Sequence, residues 1–434
     1  MSGEVRLLWF RRDLRVHDLP ALSAAAAGGA DVLACFVLDP RLTASKAHRR
    51  LQFLSDSLGE LSDALGGRLL VTEGTPETRI PALAKAIGAS SVHISGDYTP
   101  FGSRRDEAVR AGLGDIELVA TGSPYLVSPG RVTKSDGSPY QVFTPYYRRW
   151  KEVGWRRPAD STASTARWID PTDIGKAGSG HALPDPGVEL SIPAGEQAAR
   201  ARWKRFVADH LDDYATDRDR PDLDTTSRMS AYLHFGNIHP RTMAVDLAGS
   251  GTGPQAYLRE LAFRDFYAAV LSQWPRSAWW NFNTDFDGIE LDSDDDGFAA
   301  WKEGRTGFPI VDAGMRQLRE TGFMHNRVRM ITASFLVKDL HLPWQWGARW
   351  FLEQLLDGDV ASNQHGWQWA AGTGTDAAPY FRVFNPDAQA TKFDPDGGYV
   401  RRWIPELDSS DYPDPIVDHR QERAEALRRY EKIR

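Results

Sequence analysis

Five short aliphatic runs recur along the first 125 residues, and segments long enough to form helices separate them. The runs lie at 5–10, 32–38, 68–72, 91–94 and 116–119. This alternation is typical of βαβ units, in which a helix crosses over between parallel strands. The sequence therefore predicts a doubly wound parallel sheet. No GxGxxG follows these strands and no GxxxxGK[ST] occurs, which excludes the usual dinucleotide fingerprint and the phosphate loop.

The character of the sequence changes after residue 125. Residues 126–195 are rich in Pro, Gly, Ser and Thr, a composition typical of linkers. From residue 196 onward the hydrophobic period is helical, with Gly and Pro mostly at segment ends. We therefore expect an α/β domain at 1–125, an interdomain linker at 126–195 and an all-α domain at 196–434.

Composition and charge exclude several classes of protein. Hydrophobic residues make up 41% of the 434 positions and charged residues 26%, which argues against a disordered or collagen-like chain. The single cysteine, Cys35, cannot form an intramolecular disulfide. The charged start lacks a signal-peptide core and no apolar stretch is long enough to span a membrane, so we expect a cytoplasmic protein. A net charge of −7 restricts any nucleic-acid site to a local basic patch.

Tryptophan is concentrated in the second half of the chain. Ten of the fifteen Trp residues lie between Trp274 and Trp403, many of them beside polar residues. Asp357, Asp359 and Asn363 are followed closely by two of these indoles. This mixture of groups suits a buried heteroaromatic ligand, although helix caps and a solvated loop would explain the polar residues equally simply.

Several motifs, in order, resemble class I cyclobutane pyrimidine dimer photolyases of the photolyase/cryptochrome family. They include WFRRDLRVHD at 9–18, TSRMSAYLHFG at 226–236, MHNRVRM at 324–330 and DGDVASNQHGWQWA at 357–370. The resemblance spans nearly the whole chain. It implies an α/β antenna domain, a long interdomain segment and a helical domain that binds DNA and holds FAD in a bent conformation.

The resemblance also implies a set of flavin contacts. By position they are Tyr214, Thr226, Ser227, Arg228, Met229, Ser230, Glu260, Arg264, Asn326, Arg329, Asp357, Asp359 and Asn363. Asn363 corresponds to a position beside the redox-active flavin nitrogen. A neutral amide there should deliver no proton, so we expect the reduced flavin to persist as an electron donor.

A lesion pocket follows from the same resemblance. Its members are Glu260, Phe263, Asn326, Met330 and Trp369, which form the expected catalytic group together with Asn363. We expect Glu260 to stay protonated in an apolar pocket and to stabilise the reduced dimer. Met330 favours cyclobutane dimers over (6-4) lesions, whose photolyases have a His here. The family's phosphate contacts correspond to Arg218, Arg264, Arg327 and Arg382.

Two positions depart from the family pattern. Phe263 stands where dimer photolyases usually have Trp, which retains a stacking face and loses area. In the family's electron relay, Trp367 and Trp344 match the two inner positions, but Leu291 occupies the outer one. Trp280, Trp346 or a Tyr is then the candidate substitute.

The antenna segment SGDYTPFGSRRD at 95–106 resembles photolyases that bind a deazaflavin rather than a folate. The candidate contacts are Arg12, Asp39, Arg50, Asp97 and Gly102. A second chromophore of the 8-hydroxy-5-deazaflavin type is therefore expected.

The combined prediction is a monomeric, FAD-dependent lyase that repairs UV-damaged DNA in the light. The alternatives are a cryptochrome-like photoreceptor, favoured by Phe263 and Leu291, (6-4) lesion repair, and a light-independent electron-transfer flavoprotein. We expect no membrane association and no obligate protein partner. An EF-hand-like spacing at 292–303 is better explained by a helix cap, so no metal site is expected.

Overall fold

A parallel sheet forms the first part of the molecule. The computed structural model describes residues 3–44, 46–376, 379 and 381–433. The strands are β1 (Val5–Phe10), β2 (Asp31–Leu38), β3 (Leu69–Glu73), β4 (Ser91–Ile94), β5 (Glu117–Ala120) and β6 (Arg167–Trp168). Their order is β3-β2-β1-β4-β5, β6 also pairs with β2, and every pairing is parallel. The predicted fold class is thereby confirmed.

Helices connect these strands and form nearly all of the second half. Those before residue 160 are α1 (Pro20–Ala26), α2 (Pro40–Thr43), α3 (His48–Ala64), α4 (Pro76–Ala86), α5 (Pro100–Leu113) and α6 (Phe143–Val153). The next are α7 (Glu196–Asp209), α8 (Tyr214–Asp217), α9 (Ser230–Phe235), α10 (Pro240–Asp246), α11 (Thr252–Gln273), α12 (Asp295–Glu303) and α13 (Pro309–Thr321). The last are α14 (Asn326–Lys338), α15 (Trp344–Gln354), α16 (Val360–Ala371), α17 (Pro386–Phe393), α18 (Gly398–Trp403) and α19 (His419–Glu431).

The five strands expected from the sequence all form, with bounds shifted by at most one residue. The sixth, β6, lies in the segment expected to be a linker. It has only two residues, which pair with Asp31 and Val32 at the start of β2. A two-residue strand has no period to detect, so the sequence could not indicate it.

The two faces of the sheet belong to different hydrophobic cores. Leu7, Trp9 and Cys35 pack with α4 and α5, whereas their neighbours Leu8 and Phe10 join a core that reaches into the helical half. This follows from the alternation of side chains along a strand. One face of the sheet therefore packs toward the helical half.

Within the helical half, α16 packs against α11, α14 and α15. Local signals fix its ends: Asp359 caps its first turn and Gly372 ends it with a φ of 80°. Asp294 likewise caps α12, while Asp292 pairs with Arg429, so these carboxylates of the EF-hand-like stretch have structural partners. Among the described residues, no helix combines the length and apolarity needed to cross a membrane.

Candidate functional site

The start of α16 gathers the polar residues that the sequence analysis singled out. The Asp359 side chain accepts a hydrogen bond from the Ser362 backbone N–H at 3.0 Å, which sets the first turn of the helix. One turn later, Asn363 donates from Nδ2 to the Ala348 carbonyl at 3.0 Å and to Gln364 Oε1 at 2.7 Å. Since a carbonyl can only accept, this network fixes which side of the amide is nitrogen. The Asn363 oxygen is left as the atom available to a ligand.

Two ion pairs hold the carboxylates that precede α16. Arg12, from the loop after β1, contacts Asp359 at 2.6 Å, and Arg329 on α14 contacts Asp357 at 2.9 Å. Burial opposes ionisation, but the charges of Arg12 and Arg264 keep the pKa of Asp359 well below its ordinary value. Arg329 does the same for the pKa of Asp357 against a similar burial effect. Both carboxylates are therefore ionised at neutral pH.

Arg12 and Arg50, both antenna candidates, have partners in the helical half, and Arg12 also lines the cleft beside Asp97. Arg12 pairs with Asp359, and Arg50 of α3 donates from Nη1 to the Leu352 carbonyl at 2.6 Å. Both therefore reach across to the helical half. Their partners are far away in sequence, so only the packing of the two halves brings them together. A largely buried guanidinium needs such partners, which explains their position.

Several buried polar atoms on residues 225–234 and on Asp357 have no hydrogen-bond partner among the described residues. They are Thr225 Oγ1, Arg228 Nε, His234 Nδ1 and Asp357 Oδ1. Burial, together with the charge of Arg12, lowers the pKa of His234 to about 3, so its ring is neutral. Arg228 and Asp357 also line one cleft with Ser230. Unpaired polar atoms in a native interior are costly, which indicates a polar ligand at this place.

Other members of the predicted flavin group form a second cluster on one side of the cleft. Tyr214 packs against Tyr257 with ring centroids 4.9 Å apart, and the Tyr257 hydroxyl lies 2.7 Å from Ser227 Oγ. Met229 is buried and Thr226 half-buried. Arg228 has a φ of 52°, an uncommon conformation for a non-glycine residue. The segment 226–230 is thus held in a specific bend against α11.

The predicted lesion residues lie on three packed helices. Glu260 of α11 pairs with Arg218 at 2.7 Å, and the adjacent Asp219 pairs with Arg327 of α14 at 2.9 Å. Residues 218 and 219 therefore join the part of α11 that carries Glu260 to the start of α14. Asn326, the first residue of α14, lies one turn before Met330, with Nδ2 4.0 Å from the sulfur. Trp369 lies on α16, half-buried and 6.4 Å from the Phe384 ring.

The surroundings of Glu260 differ from the expectation. A protonated acid in an apolar pocket was expected, but the carboxyl group accepts a hydrogen bond from Arg218 Nη1 at 2.7 Å. Glu260 therefore has a charged neighbour, and one of its oxygens acts as an acceptor.

Phe263 has a partner that sequence reasoning missed. The Phe143 ring stacks on it with centroids 3.4 Å apart and planes 7° from parallel. Phe143 begins α6, in the segment expected to be a linker, and its backbone N–H donates to Asp376 at 3.0 Å. The amphipathic pattern FTPYYRRWKEV within a Pro-rich segment was the available signal.

The four predicted phosphate contacts differ in their availability. Arg218 and Arg327 are held in the ion pairs described above. Arg264 donates to the Pro124 carbonyl at 2.7 Å and the Leu233 carbonyl at 3.1 Å. It therefore lies in the seam, the interface between the α/β half and the helical half. Arg382 is exposed and makes no side-chain ion pair within the described chain.

The predicted relay residues lie on adjacent helices. Trp367 of α16 is buried against Gly347 of α15, where an added Cβ would lie 2.1 Å from the indole ring. Trp344 is also buried and donates from Nε1 to Asn281 at 2.9 Å. Leu291 is 41% exposed. Beside Asn281, Trp280 is 60% exposed.

Of the antenna candidates, Asp97, Gly102 and Arg12 lie together, whereas Asp39 has other partners. Asp97 and Gly102 are in contact, because an added Cβ at Gly102 would lie 2.1 Å from the Asp97 carboxyl group. Arg105 pairs with Asp97 at 3.2 Å. Asp39 instead caps α2 and pairs with Arg41 at 2.6 Å. The cleft beside Asp97 is lined in part by Arg11, Arg12 and Pro124.

Two family models match the chain. One, described as DNA photolyase, matches residues 6–164, and the other, described as the FAD binding domain of DNA photolyase, matches residues 257–411. A deoxyribodipyrimidine photo-lyase of Streptomyces griseus is 39% identical over 99% of both chains. The Escherichia coli protein of the same name is 36% identical over 99% of this chain and 98% of its own.

Solved structures agree over the full length. A class III photolyase of Agrobacterium tumefaciens superposes with a TM-score of 0.90 at 32% identity, covering 100% of this chain and 98% of its own. An archaeal photolyase of Sulfolobus tokodaii, described with two FAD molecules, gives 0.85 at 30% identity, covering 99% and 100%. Sequence, domain models and fold agree with the resemblance, and the chain belongs to the photolyase/cryptochrome family.

Proposed function

We propose that this protein repairs cyclobutane pyrimidine dimers in DNA by light-driven electron transfer. Full-length identity of 35% to 39% with curated photo-lyases makes the chain a lyase of this family. The observation that carries the finer proposal is the convergence of three helices. Residues 218 and 219 join α11 to α14 beside Glu260 and Asn326, and α16, which carries Asn363, packs against both helices.

The residues around the cleft fit FAD. Its diphosphate requires donors, which Arg228 and the hydroxyls of Thr226 and Ser230 can supply. The partnerless Asp357 Oδ1 and His234 Nδ1 suit the polar edges of a flavin or adenine. When reduced and excited by blue light, bound FAD would supply one electron to the dimer and would recover it after the two carbon–carbon bonds of the cyclobutane ring have opened.

Asn363 keeps this site from supplying protons. Both of its N–H groups are committed to Ala348 and Gln364, so it presents an oxygen that can only accept. We expect Asn363→Asp to alter the absorption spectrum of the bound flavin during illumination, because the new carboxyl faces a carbonyl and is driven to carry a proton. An unchanged spectrum would contradict this role.

The lesion group recognises a flipped-out dimer by complementary hydrogen bonds. A carboxyl oxygen of Glu260 accepts a hydrogen bond from a pyrimidine imide N–H, and Asn326 donates one to a pyrimidine carbonyl. The thioether of Met330 is apolar and carries no titratable proton, which suits ring splitting without acid–base chemistry. The dimer must stack on the exposed part of Phe263 or on Trp369, since Phe143 covers one face of Phe263.

Photoreduction of the flavin would proceed through Trp367 and Trp344. We propose Trp280 as the outer member, because Trp344 donates to Asn281, the residue next to Trp280. A Trp280→Phe variant should show slower photoreduction and unchanged repair after chemical reduction. Equal photoreduction rates would exclude Trp280.

A second chromophore would occupy the cleft beside Asp97. The charged neighbours Arg11, Arg12 and Arg105 suit an acidic chromophore, and a deazaflavin is favoured over a folate by the segment 95–106. The archaeal relative described with two FAD molecules supports a flavin-like occupant. Extraction and mass spectrometry of the bound chromophores would identify it.

The decisive experiment is light-dependent loss of thymine dimers from a UV-irradiated oligonucleotide. Chemically reduced protein is used, so that the electron relay is bypassed, and a dark sample is the control. Loss of dimers only in the light is the expected result. No loss despite bound FAD would overturn the repair proposal and favour a cryptochrome-like photoreceptor.

A further inference from the structure

A row of cations on and after α6 is a basic feature to which the sequence analysis assigned no role. Residues 148–157 contain five cations and one acid, in a chain whose net charge is −7. The cations are Arg148, Arg149, Lys151, Arg156 and Arg157, and all are exposed. Arg149 pairs with Glu152 at 3.0 Å. The other four make no ion pair or side-chain hydrogen bond with any residue that the structure describes.

This row lies beside the proposed lesion pocket. At the start of α6, Phe143 stacks on Phe263, one turn after Glu260 on α11. Arg259, also exposed and without an ion pair in the described chain, lies over the rings of Phe143 at 4.8 Å and Tyr147 at 5.6 Å. Lys151 lies 4.8 Å from the Tyr147 ring. Arg259 and Lys151 therefore extend one charged surface from the pocket along the helix.

We propose that this surface, formed by Arg148, Lys151, Arg156, Arg157 and Arg259, binds the backbone phosphates of the DNA that flanks the lesion. The inference rests on the proposed repair function. Of the four phosphate contacts expected from the sequence, three already have internal partners, whereas this row has unused donors. An 11-residue helix is about 16 Å long, enough to follow several phosphates spaced about 3.4 Å apart along the axis of one strand.

The test is the salt dependence of DNA binding by the variant Arg148→Gln/Lys151→Gln. The probe is a duplex containing one thymine dimer, titrated between 50 and 300 mM KCl. Each lost phosphate contact should reduce the slope of log K against log salt by about 0.9, so the double variant should lose about 1.8. Affinity at 100 mM salt should fall about tenfold, and equally for undamaged duplex, because phosphates carry no sequence information.

A matched control removes the same charge elsewhere. Arg104→Gln/Arg110→Gln changes two exposed cations of α5, which packs on the sheet face away from the helical half. This variant should keep the wild-type slope. A second test variant, Arg156→Gln/Arg157→Gln, changes cations outside α6. It should also reduce the slope, which guards against the case in which the first pair of substitutions disturbs α6 itself. Repair of a dinucleotide dimer, which has no flanking phosphates, should proceed at the wild-type rate in all variants.

The outcomes separate this inference from the proposed function. If wild-type protein repairs dimers but both test variants keep its salt slope, or the α5 control loses as much, the proposed phosphate surface is wrong and the repair function stands. If the wild-type protein neither repairs dimers nor prefers damaged duplex, the proposed function fails and the inference fails with it.

Discussion

Two regions use charge in opposite ways. One is the flavin cleft, the proposed FAD site around Asp357 and Asp359. The other is the α6 surface, the row of cations on and after α6. In the cleft, Arg12 pairs with Asp359 and Arg329 with Asp357, and each side chain is at most about a quarter exposed. On α6, Arg148 and Lys151 stand in solvent without a carboxylate partner in the described structure. The two regions are linked through α11, whose Glu260 and Phe263 lie between them.

The difference follows from the cost of removing ions from water. A buried charge must be paired, because its desolvation otherwise costs several kcal/mol. An exposed cation has almost no such cost and stays available for a polyanion. The cleft is therefore fixed by its own ion pairs, whereas the α6 surface is free to bind a partner. Four experiments can break or sharpen this comparison.

The largest effect is expected from Asp359→Ala, which leaves Arg12 without its carboxylate in a mostly buried position. Loss of one member of a buried pair typically costs 3–5 kcal/mol, and we expect about 3 kcal/mol because Arg12 keeps partial exposure. Flavin binding should weaken as well. Urea unfolding of the flavin-free protein measures the change in the free energy of unfolding. A loss below about 1 kcal/mol would show that the Arg12–Asp359 pair contributes no more than an exposed ion pair does.

A smaller loss is expected from Gly236→Ala, which tests the packing of the seam between the two halves. Gly236 has a φ of 71°, and an added Cβ would lie 2.0 Å from the Arg12 carbonyl oxygen. Strain and overlap together should cost about 2 kcal/mol. Gly249→Ala is the matched control, since its added Cβ would meet no atom of the described residues within 4 Å. Equal melting temperatures for the two variants would contradict a tight seam.

The pH dependence of Asp265 tests how α6 is attached. This buried carboxylate accepts hydrogen bonds from the backbone N–H groups of Leu126 at 3.3 Å and Val127 at 2.7 Å and from Trp150 Nε1 at 3.0 Å, yet burial raises its pKa to about 6. The folded state thus takes up this proton before the unfolded state does. Its contribution to the free energy of unfolding is largest at low pH and is lost as the pH rises through about 6.

For this group the loss between pH 5 and pH 7 should be about 1 kcal/mol. Asp265→Asn should remove it, so the stability difference between variant and wild type should shift by that amount over the same pH range. A constant difference would mean that Asp265 is ionised throughout, with its three N–H donors outweighing burial.

The smallest effect is expected from Arg149→Gln. Arg149 and Glu152 are both about half exposed or more, and pairs of this kind contribute less than about 0.5 kcal/mol. Thermal unfolding should therefore be unchanged. A clear loss of stability would show that α6 depends on its surface charges, and would remove the contrast with the cleft.

Much of the fold could be predicted from the sequence, because local patterns carry it. Strands such as Val5–Phe10 and Ser91–Ile94 were predicted to the residue, since buried parallel strands are short continuous aliphatic runs. The first turn of α16 follows from Asp359 at the cap position. The domain boundaries at 125 and 195 stay predictions, although the family model that ends at residue 164 runs past the first of them.

The candidate site was predicted in its residue types and only partly in its neighbours. Asp357, Arg329 and Ser230 do come together, and so do Asp97 and Gly102. Nothing in the sequence indicated that Phe143 would stack on Phe263. The contact joins residues 120 positions apart, and the local sequence around each of them does not indicate its partner.

The sequence by itself determined the helices, the strands and which side chains carry chemistry, because these depend on residues close together along the chain. Only the tertiary structure decided which charges neutralise one another. Arg12 pairs with Asp359, Arg50 with the Leu352 carbonyl and Arg264 with the Pro124 carbonyl, because the packing of the two halves brings these groups together. A buried guanidinium pairs with whichever acceptor the packing brings close to it. The distance between the guanidinium and its acceptor cannot be read from their separation along the chain.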